Sequence, residues 1–193
     1  MSPRPFVTSR FLALLAGGFF LAVGVSPAPA AKTQTVVVKP TTPADDAKAN
    51  NPLIPSATAA EGRFDRVFVF RFKYQADLLA GMEELVRKHR IRNAVILSGI
   101  GSVRNYHIHA VSNRSFPSQN IYTKDTETPA DIISINGYVI DGRVHAHLTM
   151  ADSEKAFGGH LEPETHVFTF AVITLAEFSD DVDLSRFDDK TYR

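Results

Sequence analysis

Ile132-Ile133-Ser134-Ile135-Asn136-Gly137-Tyr138-Val139-Ile140-Asp141-Gly142-Arg143-Val144-His145-Ala146-His147-Leu148-Thr149-Met150 is the stretch whose reading decides the fold. Two runs rich in β-branched and apolar residues, Ile132 to Ile140 and Val144 to Met150, flank Asp141-Gly142. Asp-Gly readily takes the two positive φ angles that a two-residue hairpin turn needs. The stretch therefore reads as an antiparallel hairpin and makes the domain a sheet protein.

Outward from the hairpin the same signals recur. Arg63 to Lys73 is β-branched and aromatic, a strand. In Gln75 to Arg90, Leu78, Leu79, Met82, Leu85 and Val86 fall on one helical face, with Glu83 and Arg87 paired four apart on another. Ala94 to Leu97 reads as a short buried strand ended by Ser98-Gly99-Ile100-Gly101-Ser102. Tyr106 to Val111 reads as a further strand, and roughly 113 to 130 as a loop. Ala151 to Pro163 reads as a loop containing Gly158-Gly159, and His166 to Phe178 as a long apolar strand. The sum is an α+β domain over residues 61–178: a mostly antiparallel sheet of about six strands with one main helix packed on it.

The flanks differ in character. Arg4 and Arg10 precede an uncharged apolar run, Phe11 to Val25, that Ser26-Pro27 breaks. Ala28-Pro29-Ala30 then offers small residues where a signal peptidase reads. At about 15 residues the run is short for a membrane span of roughly 20. Residues 1–30 are read as an export signal, with an uncleaved membrane anchor as the alternative, so the expected location is periplasmic or secreted. Residues 31–60, rich in Ala, Thr and Pro, read as a flexible spacer, and 179–193 as a mobile, acidic and polar tail.

The chain has 193 residues and no cysteine, which excludes disulfides and a lipid-modified cysteine. Formal net charge is zero, and without Arg4 and Arg10 the chain holds 19 basic against 21 acidic residues. A dedicated nucleic-acid binder carries a basic excess or stripe, so nucleic acid is not the expected partner.

Three histidines could carry chemistry. His145 and His147 lie two apart on a strand and so point to one face. His160 follows Gly158-Gly159, where the backbone can approach closely. Three histidines with an open fourth position form the ligand set of several catalytic zinc sites, although imidazole also suits copper, iron and nickel. The alternative is that all three are ordinary surface and loop residues. Asp152 and Glu162 are candidate catalytic carboxylates near these histidines, and Glu164 is a third. His107 and His109 repeat the two-residue spacing and could extend the site or make a second one; without a third partner they read as half-exposed strand residues. His89 and His166 read as structural. Gly99, Gly101, Ser102 and Arg104 form a candidate turn or pocket, but the third glycine of a dinucleotide fingerprint is missing. No Gly-x-Ser-x-Gly elbow supports serine hydrolysis.

Leu97-Ser98-Gly99-Ile100-Gly101-Ser102-Val103-Arg104-Asn105, Asp141-Gly142-Arg143-Val144-His145-Ala146-His147, Ala151-Asp152 and Gly158-Gly159-His160-Leu161, in that order, resemble the plants-and-prokaryotes conserved (PPC) domain over about residues 64–178. The resemblance implies a compact α+β domain that assembles as a homotrimer. From the prokaryotic members it implies a metal, zinc foremost, on the residues matching His145, His147 and His160. Plant members join the domain to AT-hooks and bind DNA, but the Arg-Gly-Arg-Pro core of an AT-hook is absent here. The export signal, the His107/His109 pair and Glu162-Pro163-Glu164 depart from the family pattern.

The expected function is thus an exported, trimeric, metal-binding domain whose pocket takes a small molecule. A zinc-dependent hydrolase or hydratase is one version. A trimeric structural or interaction module and a DNA-binding protein stand as alternatives.

Overall fold

The computed structural model describes residues 51–114 and 118–188, together with the strand at 34–37. The export leader read over residues 1–30 lies outside the described residues. In chain order the elements are β1 (Gln34–Val37), β2 (Phe64–Lys73), α1 (Leu78–His89), β3 (Ala94–Val111), β4 (Asn120–Asp125), β5 (Ala130–Ile140), β6 (Arg143–Ala151), β7 (Ala156–Leu161) and β8 (His166–Phe178). All the pairings are antiparallel, and the helix is the only one among the described residues.

The hairpin forms as its sequence dictates. Asp141 and Gly142 take φ of 47° and 76°, and the register runs from Ile140↔Arg143 to Asp131↔Ala151. Helix α1 starts at Asp77, whose Oδ1 accepts the Ala80 amide at 3.0 Å, and ends at Arg90 in the left-handed region. Its buried residues, Leu78, Met82 and Val86, repeat every four positions. They join Phe70 and Phe72 of β2, Leu148 and Met150 of β6, and Ile173 and Leu175 of β8 in one core. Each such side chain contributes about 1.5–3 kcal/mol on burial.

Strand β3 is the spine. Its first half pairs with β5 on one side and β8 on the other, and its second half with β4 and β7. Because β5, β6 and β7 pair in succession and β7 returns to β3, these four strands close a ring. That closure brings β6 and β7 beside the far end of β3.

Five expectations are corrected here. Ser98 to Ser102 does not end a strand: β3 runs unbroken for 18 residues. Its bends are taken up by register shifts against β8 between Ile96 and Ser98 and between Gly101 and Val103, and glycines inside a strand commonly mark such irregularities. The segment around Gly158-Gly159 is strand β7 rather than loop, and the 113–130 segment contains β4. Residues 34–37, inside the presumed spacer, pair with β4 from Gln34↔Lys124 to Val37↔Ile121. Finally, the segment after β8 does not all trail free: Val182 and Leu184 are buried against Ile140 and Phe178. No helix among the described residues is long and apolar enough to cross a membrane.

Candidate metal centre

The ring of strands assembles the histidines. His147 on β6 is the register partner of His160 on β7, and His160 is the partner of His109 on β3. His145, two residues before His147, shares its face of β6. One ligand atom from each of His145, His147 and His160 lies within 4.8 Å of the others. His109, His160 and Glu162 form a second such group, overlapping the first at His160.

The strands come close because β7 carries Gly158-Gly159. A Cβ on Gly158 would stand 2.2 Å from the Leu148 carbonyl oxygen, and one on Gly159 would stand 2.6 Å from that of His109. Only hydrogen at these positions lets β6 and β3 close on β7 and bring His160 to the histidines on either side.

The hydrogen bonds fix which nitrogen faces the site. His145 Nδ1 lies 2.9 Å from Asp188 Oδ1. An ionised carboxylate only accepts, so Nδ1 carries the proton and Nε2 presents its lone pair. That Nε2 is 3.2 Å from Nε2 of His147. A zinc ion with Zn–N bonds of about 2.0–2.1 Å in tetrahedral geometry sets its ligand nitrogens about 3.3 Å apart. The pair is therefore already spaced as two corners of such a site. His109 is oriented in the same way through Nδ1 and Glu162 Oε1.

The electrostatics favour metal ligation. Partial burial lowers the pKa of His147, and the neighbouring His145 and His109 lower it further, so the ring stays neutral and able to ligate at neutral pH. The residues thus fit a transition-metal ion in donor type, count and spacing, with a carboxylate behind His145 of the kind that orients metal-bound imidazoles.

Other sequence candidates fall elsewhere. Asp152 sits in the β6–β7 turn, where its Oδ1 accepts the amides of Glu154 and Lys155, both at 2.8 Å. These bonds lower its pKa, and it lines a separate hollow with Ser102 and Tyr106. Ser102 Oγ is 2.6 Å from Thr169 Oγ1. Gly99 and Gly101 lie within β3. Arg104 donates to the Tyr74 hydroxyl at 3.0 Å. Glu164 pairs with Lys124, and His107 Nδ1 donates to the Pro163 carbonyl at 3.0 Å. Glu162, by contrast, is part of the histidine cluster. Sequence reasoning set His109 aside for want of a third partner and missed Asp188. His109 joins through the β3–β7 pairing, and Asp188, which has no local signature, through the fold-back of the chain after β8.

The fold and these motifs define a known class. The Plants and Prokaryotes Conserved (PCC) domain matches residues 59–179, and the chain belongs to that family. Among solved structures it is similar to a PPC protein from Pyrococcus horikoshii, at 28% identity and a TM-score of 0.55, covering 65% of this chain and 87% of the other. It is also similar in fold to a metal-containing protein from Archaeoglobus fulgidus, at 24% identity and a TM-score of 0.56, covering 65% and 89%. Among curated proteins it is 27% identical over 113 residues to the bifunctional protein GlmU of two Synechococcus strains. That match spans 58% of this chain but only 17% of those relatives' length.

Proposed function

We propose that this chain is an exported metal-binding protein in which His145, His147 and His160 hold one transition-metal ion, zinc foremost, and leave a position open for a small molecule. The observation that carries the reading is the 3.2 Å separation of the His145 and His147 Nε2 atoms with His160 converging on them. The metal-containing relative of similar fold supports it. Zinc on three neutral imidazoles lowers the pKa of a water at the fourth position to about 7, chemistry that serves hydrolysis or hydration. Around it, Asp188 holds the His145 tautomer, Glu162 holds His109, and Glu162 is the carboxylate best placed to exchange a proton with the site.

A second reading concerns assembly. Val67 and Val69 on β2, Leu97 and Ile100 on β3, and Phe168 and Phe170 on β8 are all exposed on three successively paired strands. A monomer seldom leaves such a strip open, and a homotrimer would cover it, with or without a bound metal.

The test is the metal content of the full chain, purified without a histidine tag, beside the triple variant His145→Ala/His147→Ala/His160→Ala. One metal per chain, absent from the variant, supports the first reading. A folded wild-type protein that takes up no zinc overturns it. Light scattering on the same samples tests the second: a mass of three chains supports it, and a monomer refutes it.

A further inference from the structure

A cavity of about 540 Å³ opens directly beside the histidines, with His145 and His147 in its lining. This volume is within the range of small-molecule sites. The rest of the wall is mostly apolar: Tyr138 and Ile140 of β5, Phe178 at the end of β8, and Val182, Leu184 and Phe187 beyond it. The last three lie past residues 59–179 matched to the family domain, so part of the wall comes from beyond that match. Among the described residues Asp188 is the only carboxylate in the lining, and it accepts the Nδ1 proton of His145; none of them brings a lysine or arginine to the cavity.

From this arrangement, and resting on the metal reading above, we infer that the cavity takes a monoanionic carboxylate with an unbranched apolar tail, its head on the metal's open position and its tail along Ile140, Val182, Leu184 and Phe187. The charge pattern selects the head. A divalent ion on three neutral imidazoles attracts an anion and repels an amine. A phosphate monoester would bring a second negative charge beside Asp188 with no basic side chain among the described lining residues to meet it. The lining selects the tail, because displacing water from apolar wall is the contribution that six such side chains can make.

The probes are acetate, butyrate, hexanoate and octanoate, with octyl phosphate as a charge comparison. They are titrated into the full chain loaded with cobalt, whose visible spectrum reports a ligand reaching the metal, and into the zinc form by calorimetry. The expected result is a spectral change with every carboxylate. Affinity should rise about fourfold per methylene, the equivalent of about 0.8 kcal/mol per buried CH₂, and octanoate should bind better than octyl phosphate. Phe187→Asp, at a lining residue 49% exposed and therefore of low risk to folding, should lower the affinity gained per methylene while leaving zinc content and acetate binding intact. Zinc retained with equal affinity for acetate and octanoate overturns the inference and shows that the wall does not serve a ligand, as when another part of the chain or a second copy fills it. Tighter binding of octyl phosphate overturns the choice of head group. Failure to take up zinc or cobalt is a different result, read from metal content alone, and it removes the metal reading together with this one.

Discussion

Asp188→Asn isolates the contribution of one carboxylate to the metal centre. In the wild type, Asp188 accepts the Nδ1 proton of His145 at 2.9 Å and so keeps the lone pair on Nε2, the atom that faces His147. Asparagine has the same shape but no charge, and its amide can equally donate to Nδ1. That geometry moves the proton to Nε2 and removes a ligand. Losing such an outer carboxylate costs 10–100-fold in metal affinity, or about 1.4–2.8 kcal/mol. The side chains of Asp188 and His145 are 22% and 36% exposed, so solvent screens part of their interaction. This places the expected loss near the lower end, about tenfold. Competition with a chromophoric chelator measures it, and thermal melting in excess chelator establishes that the fold is unchanged. Asp152→Asn is the matched control, since that carboxylate holds the amides of Glu154 and Lys155 instead. Unchanged affinity in Asp188→Asn, or an equal loss in Asp152→Asn, would refute the assignment.

Two further outcomes follow from the same geometry. Gly137→Ala should destabilise the protein by about 3–5 kcal/mol in chemical denaturation, combining strain at φ 146° with a Cβ placed 2.1 Å from the His145 carbonyl oxygen; a loss under about 1 kcal/mol would show that β5 and β6 yield freely there. His147 has its pKa lowered in the folded state, mainly by burial, so its neutral ring favours folding above the unfolded value of about 6.5, and that stability is lost as pH falls through the folded pKa. The metal-free protein should therefore melt at progressively lower temperature as pH drops below about 6.5, and His147→Ala should weaken this dependence; an identical pH profile in the variant would refute it.

The elements that were legible in the sequence are those whose signal is local. Asp141-Gly142 specifies its turn through two positive φ angles, and α1 specifies its buried face through Leu78, Met82 and Val86, so neither needs to know what it packs against. The glycine segments were misread for a shared reason. Glycine in sequence signals a turn, but Gly99, Gly101, Gly158 and Gly159 all lie within strands, and at Gly158 and Gly159 it is a neighbouring backbone that leaves no room for a Cβ. Such crowding is a property of the assembled sheet, and a single strand read alone cannot show it.

The site divides along the same line. His145 and His147 were visible because two residues on a strand share a face whatever surrounds them. His160 could be added only through the glycines before it and the family resemblance. His109 and Asp188 are 51 and 28 residues from His160 in sequence, and they reach the cluster through the β3–β7 pairing and the fold-back after β8. These long-range members are also the ones that distinguish this chain's site from three bare histidines. Asp188 and Glu162 fix the two tautomers, and Val182 and Leu184 hold the segment carrying Asp188 against Ile140. The apolar contacts that close the cavity wall therefore also position the carboxylate that prepares His145, and a change at Leu184 should be felt at the metal through Asp188 only if it frees that segment from β5.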